Sequence, residues 1–131
     1  MQRIGALIIS LALWACSAQQ DGAKDYEALV VPVNRLASDE VRERGRELFQ
    51  VKCALCHGVR ADGNGVRRKG LSGSPANFRS RDWRGRTSAR QVFEVVSEGK
   101  RGTSMPAWPT LSDDEKWEVV AYVLGVAEDG P

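Results

Sequence analysis

Apolar residues recur at helical spacing in three places along the chain. Val41, Gly45, Leu48 and Phe49 share one face of a stretch that predicts a helix from Asp39 to Lys52. Ser38 suits its N-cap, and Asp39 and Glu40 sit at the positive end of its dipole. Gly45 weakens the middle of that helix, so its presence asks for close approach by another helix. A second helix is expected from Ala89 to Gly99, with Ser88 and Gln91 spaced as a capping box and Val92, Val95 and Val96 forming its apolar face. A third follows Ser112, with Glu115 completing another box. It carries Trp117, Val120, Ala121 and Leu124 at i, i+3, i+4 and i+7, and Gly125 is its expected stop. No stretch shows the alternation of a strand, so the expected class is all-α.

The first fifteen residues read as an export signal: Arg3 gives a positive start, and Ile4 to Ala15 is an apolar run of twelve residues followed by polar sequence. Twelve is short for a membrane-spanning helix, which takes about 20 residues. The run ends in Leu13-Trp14-Ala15-Cys16, which resembles the lipobox of bacterial lipoproteins, with Trp14 departing from the small residue usual there. On that reading Cys16 begins the mature chain and carries lipid. Cleavage near Ala18 or a retained helical anchor are the alternatives. Residues 16–37 are expected to be a tether, with 22 residue steps from Cys16 to Ser38. Such a tether reaches about 75 Å fully stretched and averages about 25 Å as a coil. The apolar Leu29 to Val33 patch packing on the domain is the other possibility, with Pro32 arguing against a central strand. That leaves residues 38–131 as one domain, the single domain that 131 residues lead one to expect.

The three cysteines sharpen this picture. Cys53 and Cys56 stand in Cys53-Ala54-Leu55-Cys56-His57, the attachment pattern of c-type haem, while Cys16 is the odd one at the end of the signal. In that chemistry the two thiols form thioethers with the haem and the adjacent histidine donates an imidazole nitrogen to the iron. A structural zinc site needs four ligands, and His57 is the only histidine in the chain. A thioredoxin-like pair needs a βαβ setting that the pattern lacks. The expected cofactor is therefore one covalently attached haem c. Met105 is the only methionine besides Met1, and Gly102 and Pro106 put it on a loop, so it is the expected sixth ligand. A lysine, water or an empty position remain as alternatives, as does a methionine that fills core space. Gly58 to Arg86 is long for a loop in a compact domain and suits a chain wrapping a large planar cofactor. Within it Asp62-Gly63-Asn64-Gly65 reads as a tight turn, since the further ligands of a calcium loop are missing.

These residues together resemble the class I cytochromes c, and especially the small bacterial domains related to the haem domains of cbb3-type oxidases. The resemblance spans about Ser38 to Val126. It rests on Gly45 and Phe49 before the Cys-x-x-Cys-His run, the stretch from Gly58 to Gly65, Gly102 to Trp108 around the methionine, and the closing helix with Trp117 and Tyr122. It implies an all-α fold of three to four helices around one covalently bound haem, electron carriage rather than catalysis, and first and last helices that cross beside the haem. The long basic loop and the stretch from Ser74 to Phe78 depart from the family pattern. The groups that hold the haem carboxylates or orient His57 are therefore left unassigned.

Composition is ordinary for a globular domain at 42% hydrophobic and 27% charged residues, which excludes a disordered or multi-span chain. The net charge of +2 hides an asymmetry. Residues 60–101 hold eleven Lys and Arg against four Asp and Glu, whereas residues 112–131 hold one Lys against six acids. Such a dipole orients the molecule toward an acidic redox partner, or else the arginines only solvate a loop. Nucleic acid is not an expected partner of an exported haem protein. Three functions follow in order: a tethered electron shuttle between membrane complexes, a fixed haem subunit of a respiratory complex, and a haem enzyme with an open iron position. The expected location is the periplasmic side of a bacterial membrane. Ser17 after the lipid cysteine resembles outer-membrane sorting, and a soluble periplasmic form is the alternative.

Overall fold

The computed structural model describes residues 24–128, so Cys16, Ser17 and the whole signal segment lie outside the described residues. Six helices follow in order: α1 Val33–Leu36, α2 Asp39–Lys52, α3 Ala54–His57, α4 Arg81–Gly85, α5 Ala89–Glu98 and α6 Asp113–Glu128. No strand occurs among the described residues, and the class is all-α.

The core is built on α2 and α6. Residue 45 meets residue 118 and residue 42 meets residue 125, so the two helices run antiparallel. A Cβ on Gly45 would lie 1.9 Å from the Glu118 carbonyl oxygen and 3.0 Å from Tyr122 Cβ, which is the close approach that a glycine in mid-helix calls for. Phe49, Phe93, Val120 and Val123 are the largest fully buried side chains, and each contributes about 1.5–3 kcal/mol through removal from water. The capping box of α5 forms in full, Ser88 Oγ accepting from Gln91 N and Gln91 Oε1 from Ser88 N. That of α6 forms likewise through Ser112 and Glu115.

Four expectations change. Ser38 precedes α2 with extended backbone, but its side chain makes no capping bond. Gly125 does not stop α6, which runs on to Glu128, because Gly125 is buried where Arg42 crosses and a carbon there would meet its side chain at 3.2 Å. The 58–86 loop is not wholly irregular. Within it the short α4 forms, capped by Ser80 Oγ accepting from Trp83 N; just before it, Ala54–His57 of the Cys-x-x-Cys-His run form α3. Finally, residues 24–37 do not hang free as a tether. Tyr26, Leu29, Val31 and Leu36 pack against the core and α1 lies on α6, so the packing alternative holds for Leu29 and Val31, while Val30 and Val33 stay exposed. No helix among the described residues is long and apolar enough to cross a membrane.

Candidate functional site

One apolar cavity of about 420 Å³ opens between the α2–α3 corner, the long loop, α5 and the loop before α6. Its size lies within the usual range for small-molecule and cofactor pockets, about 300–1,000 Å³. Cys53, Cys56 and His57 line it from one side and Met105 with Pro106 from the loop after α5. Phe49, Val92, Val95, Val96, Val119 and Val123 form its apolar wall. Cys53, Cys56 and His57 are thus brought to a single chamber with Met105, far from them in the chain.

The α3 helix sets the motif. Cys53 closes α2 by donating its backbone N–H to the Phe49 carbonyl, and His57 N donates to the Cys53 carbonyl, so the motif turns sharply off the end of α2. The loop then lies directly on the motif. Gly63 N donates to the His57 carbonyl, Gly65 N to that of Cys56 and Arg67 N to that of Leu55. A Cβ on Gly65 would come within 2.4 Å of the Leu55 oxygen, so only glycine fits this crossing. The Asp62–Gly65 segment is a tight turn, with Asp62 Oδ1 accepting from Asn64 N and Arg60 paired to the same carboxylate. Hydrogen bonds from Asn64 and Arg60 hold that carboxyl below its ordinary range. No cluster of metal-ligating side chains stands among the described residues.

The His57 imidazole is oriented on both sides. Its Nδ1 donates to the Ala76 carbonyl at 3.2 Å, which leaves Nε2 as the second nitrogen of the ring. Its face stacks on Phe78 at 4.7 Å between centroids, and Trp83 meets Phe78 edge-on at 4.8 Å. Burial lowers the His57 pKa, with the Ala76 bond opposing, which favours the neutral form of the ring that ligates metals. Burial, helped by the neighbouring Cys56, pushes the Cys53 thiol up to about 11.

Met105 sits in a braced loop. Its N–H donates to Thr103 Oγ1 and its carbonyl accepts from Lys100 N. Ser104 N donates to the Ser72 carbonyl while Ser72 N donates to Ser104 Oγ, tying this loop across the cavity mouth to the long loop.

Sequence reasoning missed the carbonyl of Ala76, which no residue type announces. It also missed Phe78 and Trp83, whose aromatic character in an arginine-rich loop was the available signal. Two cations on the cavity wall were missed as well, Arg86 and Lys100. Arg86 Nε donates to the Asp82 carbonyl, and neither cation pairs with a carboxylate among the described residues.

The chemistry of this lining suits a haem: two thiols, an imidazole and a thioether share one apolar chamber, and two cations without a carboxylate partner among the described residues line it as well.

Known proteins agree in kind. Residues 40–123 match the family described as "Cytochrome C oxidase, cbb3-type, subunit III". The chain is 26% identical over 125 residues to cytochrome c55X of Paracoccus denitrificans (strain Pd 1222), covering 95% of each. It is 24% identical to the cbb3-type cytochrome c oxidase subunit FixP of Sinorhizobium medicae (strain WSM419), covering 92% of this chain but only 43% of that one. Among solved structures it resembles a chain of the reducing HAO-like protein complex of Kuenenia stuttgartiensis, with a TM-score of 0.61 and 26% identity over 68% of this chain and 44% of that one. It also resembles the KustC0563 c-type cytochrome, with a TM-score of 0.52 and 31% identity over 63% of this chain and 95% of that one.

Proposed function

The chain belongs to the cbb3-type cytochrome c oxidase subunit III family of c-type haem domains, and from that premise we propose that it is a membrane-tethered carrier with a single haem held by Cys53, Cys56, His57 and Met105. Membership carries the coarse function, haem-based electron transfer. The single observation that supports the finer reading is the convergence of those four residues on one apolar cavity.

Each side chain has a separable task. Cys53 and Cys56 form thioethers to the haem vinyl groups, which prevents loss of the cofactor after export. His57, fixed by the Ala76 carbonyl and by Phe78, offers Nε2 to the iron without needing to reorient. Met105 would be the second protein ligand of the iron, and a thioether ligand would favour ferrous over ferric iron and so raise the reduction potential. Arg86 and Lys100, on the wall of the same cavity, would supply positive charge to the haem carboxylates, and the valines that line it would exclude water. When bound, haem supplies an iron that gains and gives up one electron. With His57 and Met105 both holding the iron there would be no open position for a substrate, and the chain has no second histidine to move a proton, which supports electron carriage over catalysis.

The lipobox-like Leu13-Trp14-Ala15-Cys16 supports lipid on Cys16 and a location at the periplasmic side of a membrane, Ser17 favouring the outer one. The likeness to an oxidase subunit supports membrane respiratory complexes as redox partners. Mass spectrometry of the mature protein under denaturing conditions tests the central reading. One haem retained per chain is the expected result, and a chain without haem after expression with working maturation machinery overturns it.

A further inference from the structure

We propose that residues 24–36 are a docked strap, so that the haem domain rides on a short leash that begins at Lys24 rather than at Ser38. The inference deepens the anchored reading above and rests on it for the membrane end alone.

The strap is held by contacts of three kinds along its length. Lys24 Nζ bonds both oxygens of Asp113, at 3.0 and 3.2 Å, and lies 5.4 Å from the centre of the Phe93 ring. Lys116, a buried lysine, reaches the same carboxylate at 3.0 Å and the same ring at 5.6 Å, so Asp113 is fixed before the strap arrives. Tyr26 Oη donates to Glu98 while its ring packs 6.4 Å from Phe93. Further on, Arg90 Nε donates to the Leu29 carbonyl at 2.8 Å, and Arg35 pairs with Asp114 at 2.6 Å. Leu29, Val31 and Leu36 face the core, while Val30 and Val33 point out to solvent. These bonds use α5 and α6, including the acids at the start of α6. Exposed ion pairs contribute little alone, so the apolar contacts hold the strap and the charges set its register.

The consequence is a change of reach. Eight residue steps separate Cys16 from Lys24, against 22 to Ser38. The stretched limit falls from about 75 Å to about 28 Å. A domain of this length has a radius of gyration of about 13 Å, so even the stretched limit is little more than twice that radius. The haem therefore stays close to the bilayer, and its partners are those whose docking face lies near the membrane surface.

The test uses the lipidated holoprotein, purified from membranes and bound to phosphatidylcholine vesicles carrying a headgroup dye that haem quenches. The variant Lys24→Ser with Tyr26→Ser and Leu29→Ser should still float with the vesicles and keep its haem spectrum, but quench less, because its haem moves away. Hydrogen exchange on the same samples should show the Arg35, Leu36 and Ala37 amides protected in the wild type and fast in the variant, with α5 and α6 unchanged. Equal quenching by both proteins, or coil-like exchange of those amides in the wild type, overturns the strap. A wild type that does not float overturns the lipid at Cys16, and the exchange measurement then decides the strap separately.

Discussion

At Met105 the choice between carrier and enzyme comes down to one sulfur. The backbone around it is braced by Thr103, Lys100 and Ser72, so Met105→Ala should leave the loop in place and remove only the thioether. The expected outcome is a lower reduction potential, loss of any methionine-to-iron band in the ferric spectrum, and binding of carbon monoxide by ferrous protein. Covalent haem should survive, since Cys53 and Cys56 are untouched. A wild type that already binds carbon monoxide would instead favour an open site. Asp113 gives a pH test at the same scale. Its hydrogen bonds to Lys24 and Lys116 hold its carboxyl below the usual range. Its stabilising contribution is therefore present above the unfolded value, about 4, and lost as pH falls through the lower folded one. Asp113→Asn should accordingly lower Tm at pH 6 and have less effect near pH 3, measured by thermal melts of the holoprotein.

Between elements, the α2–α6 crossing depends on the absence of a side chain. At Gly45 a methyl group would overlap backbone, not the end of a flexible side chain, so the helices themselves must move. Gly45→Ala should cost about 3 kcal/mol or more, near the upper end for overpacking, although alanine is the better helix former. Denaturant unfolding reads this directly. The α5 cap offers a milder comparison. Ser88→Ala removes the oxygen that accepts from Gln91 N and should cost about 1 kcal/mol.

Over the whole molecule the charge is divided, basic from residue 60 to residue 101 and acidic along α6. Part of the acidic pole is already engaged by the chain itself, through Lys24, Arg35 and Arg44. The basic loop beside the haem motif is the pole left facing outward, and it adjoins exposed Leu55 and Val66, the latter 86% exposed. Reversing Arg67, Arg68 and Lys69 to Glu should slow electron transfer with an acidic partner most at low salt. The difference should shrink as ionic strength rises and the screening length falls below about 10 Å. Stopped-flow rates across a salt series would show it, and equal rates throughout would mean that these charges only solvate the loop.

What the amino-acid sequence determined by itself was whatever is local. The bounds of α2, the capping boxes of α5 and α6 and the Cys53–His57 motif all depend on residues within one or two helical turns of one another. Periodicity and capping chemistry register such features without knowledge of the fold. The reason for Gly45 was legible too, as a demand for a neighbour, though not which neighbour. Only the tertiary structure decided the rest. Gly125 reads as a stop until Arg42 is seen to cross it, and the choice between a tether and a packed patch at Leu29 to Val33 is made by the domain surface against which Leu29 and Val31 pack. The partner of His57 is a backbone carbonyl 19 residues away, a group that every residue carries and that no side chain marks. Arg86 and Lys100 look like two more solvated cations in a basic stretch, and only the cavity wall sets them apart. Contacts of that kind arise when distant segments meet, and their energies depend on geometry that a linear pattern does not carry.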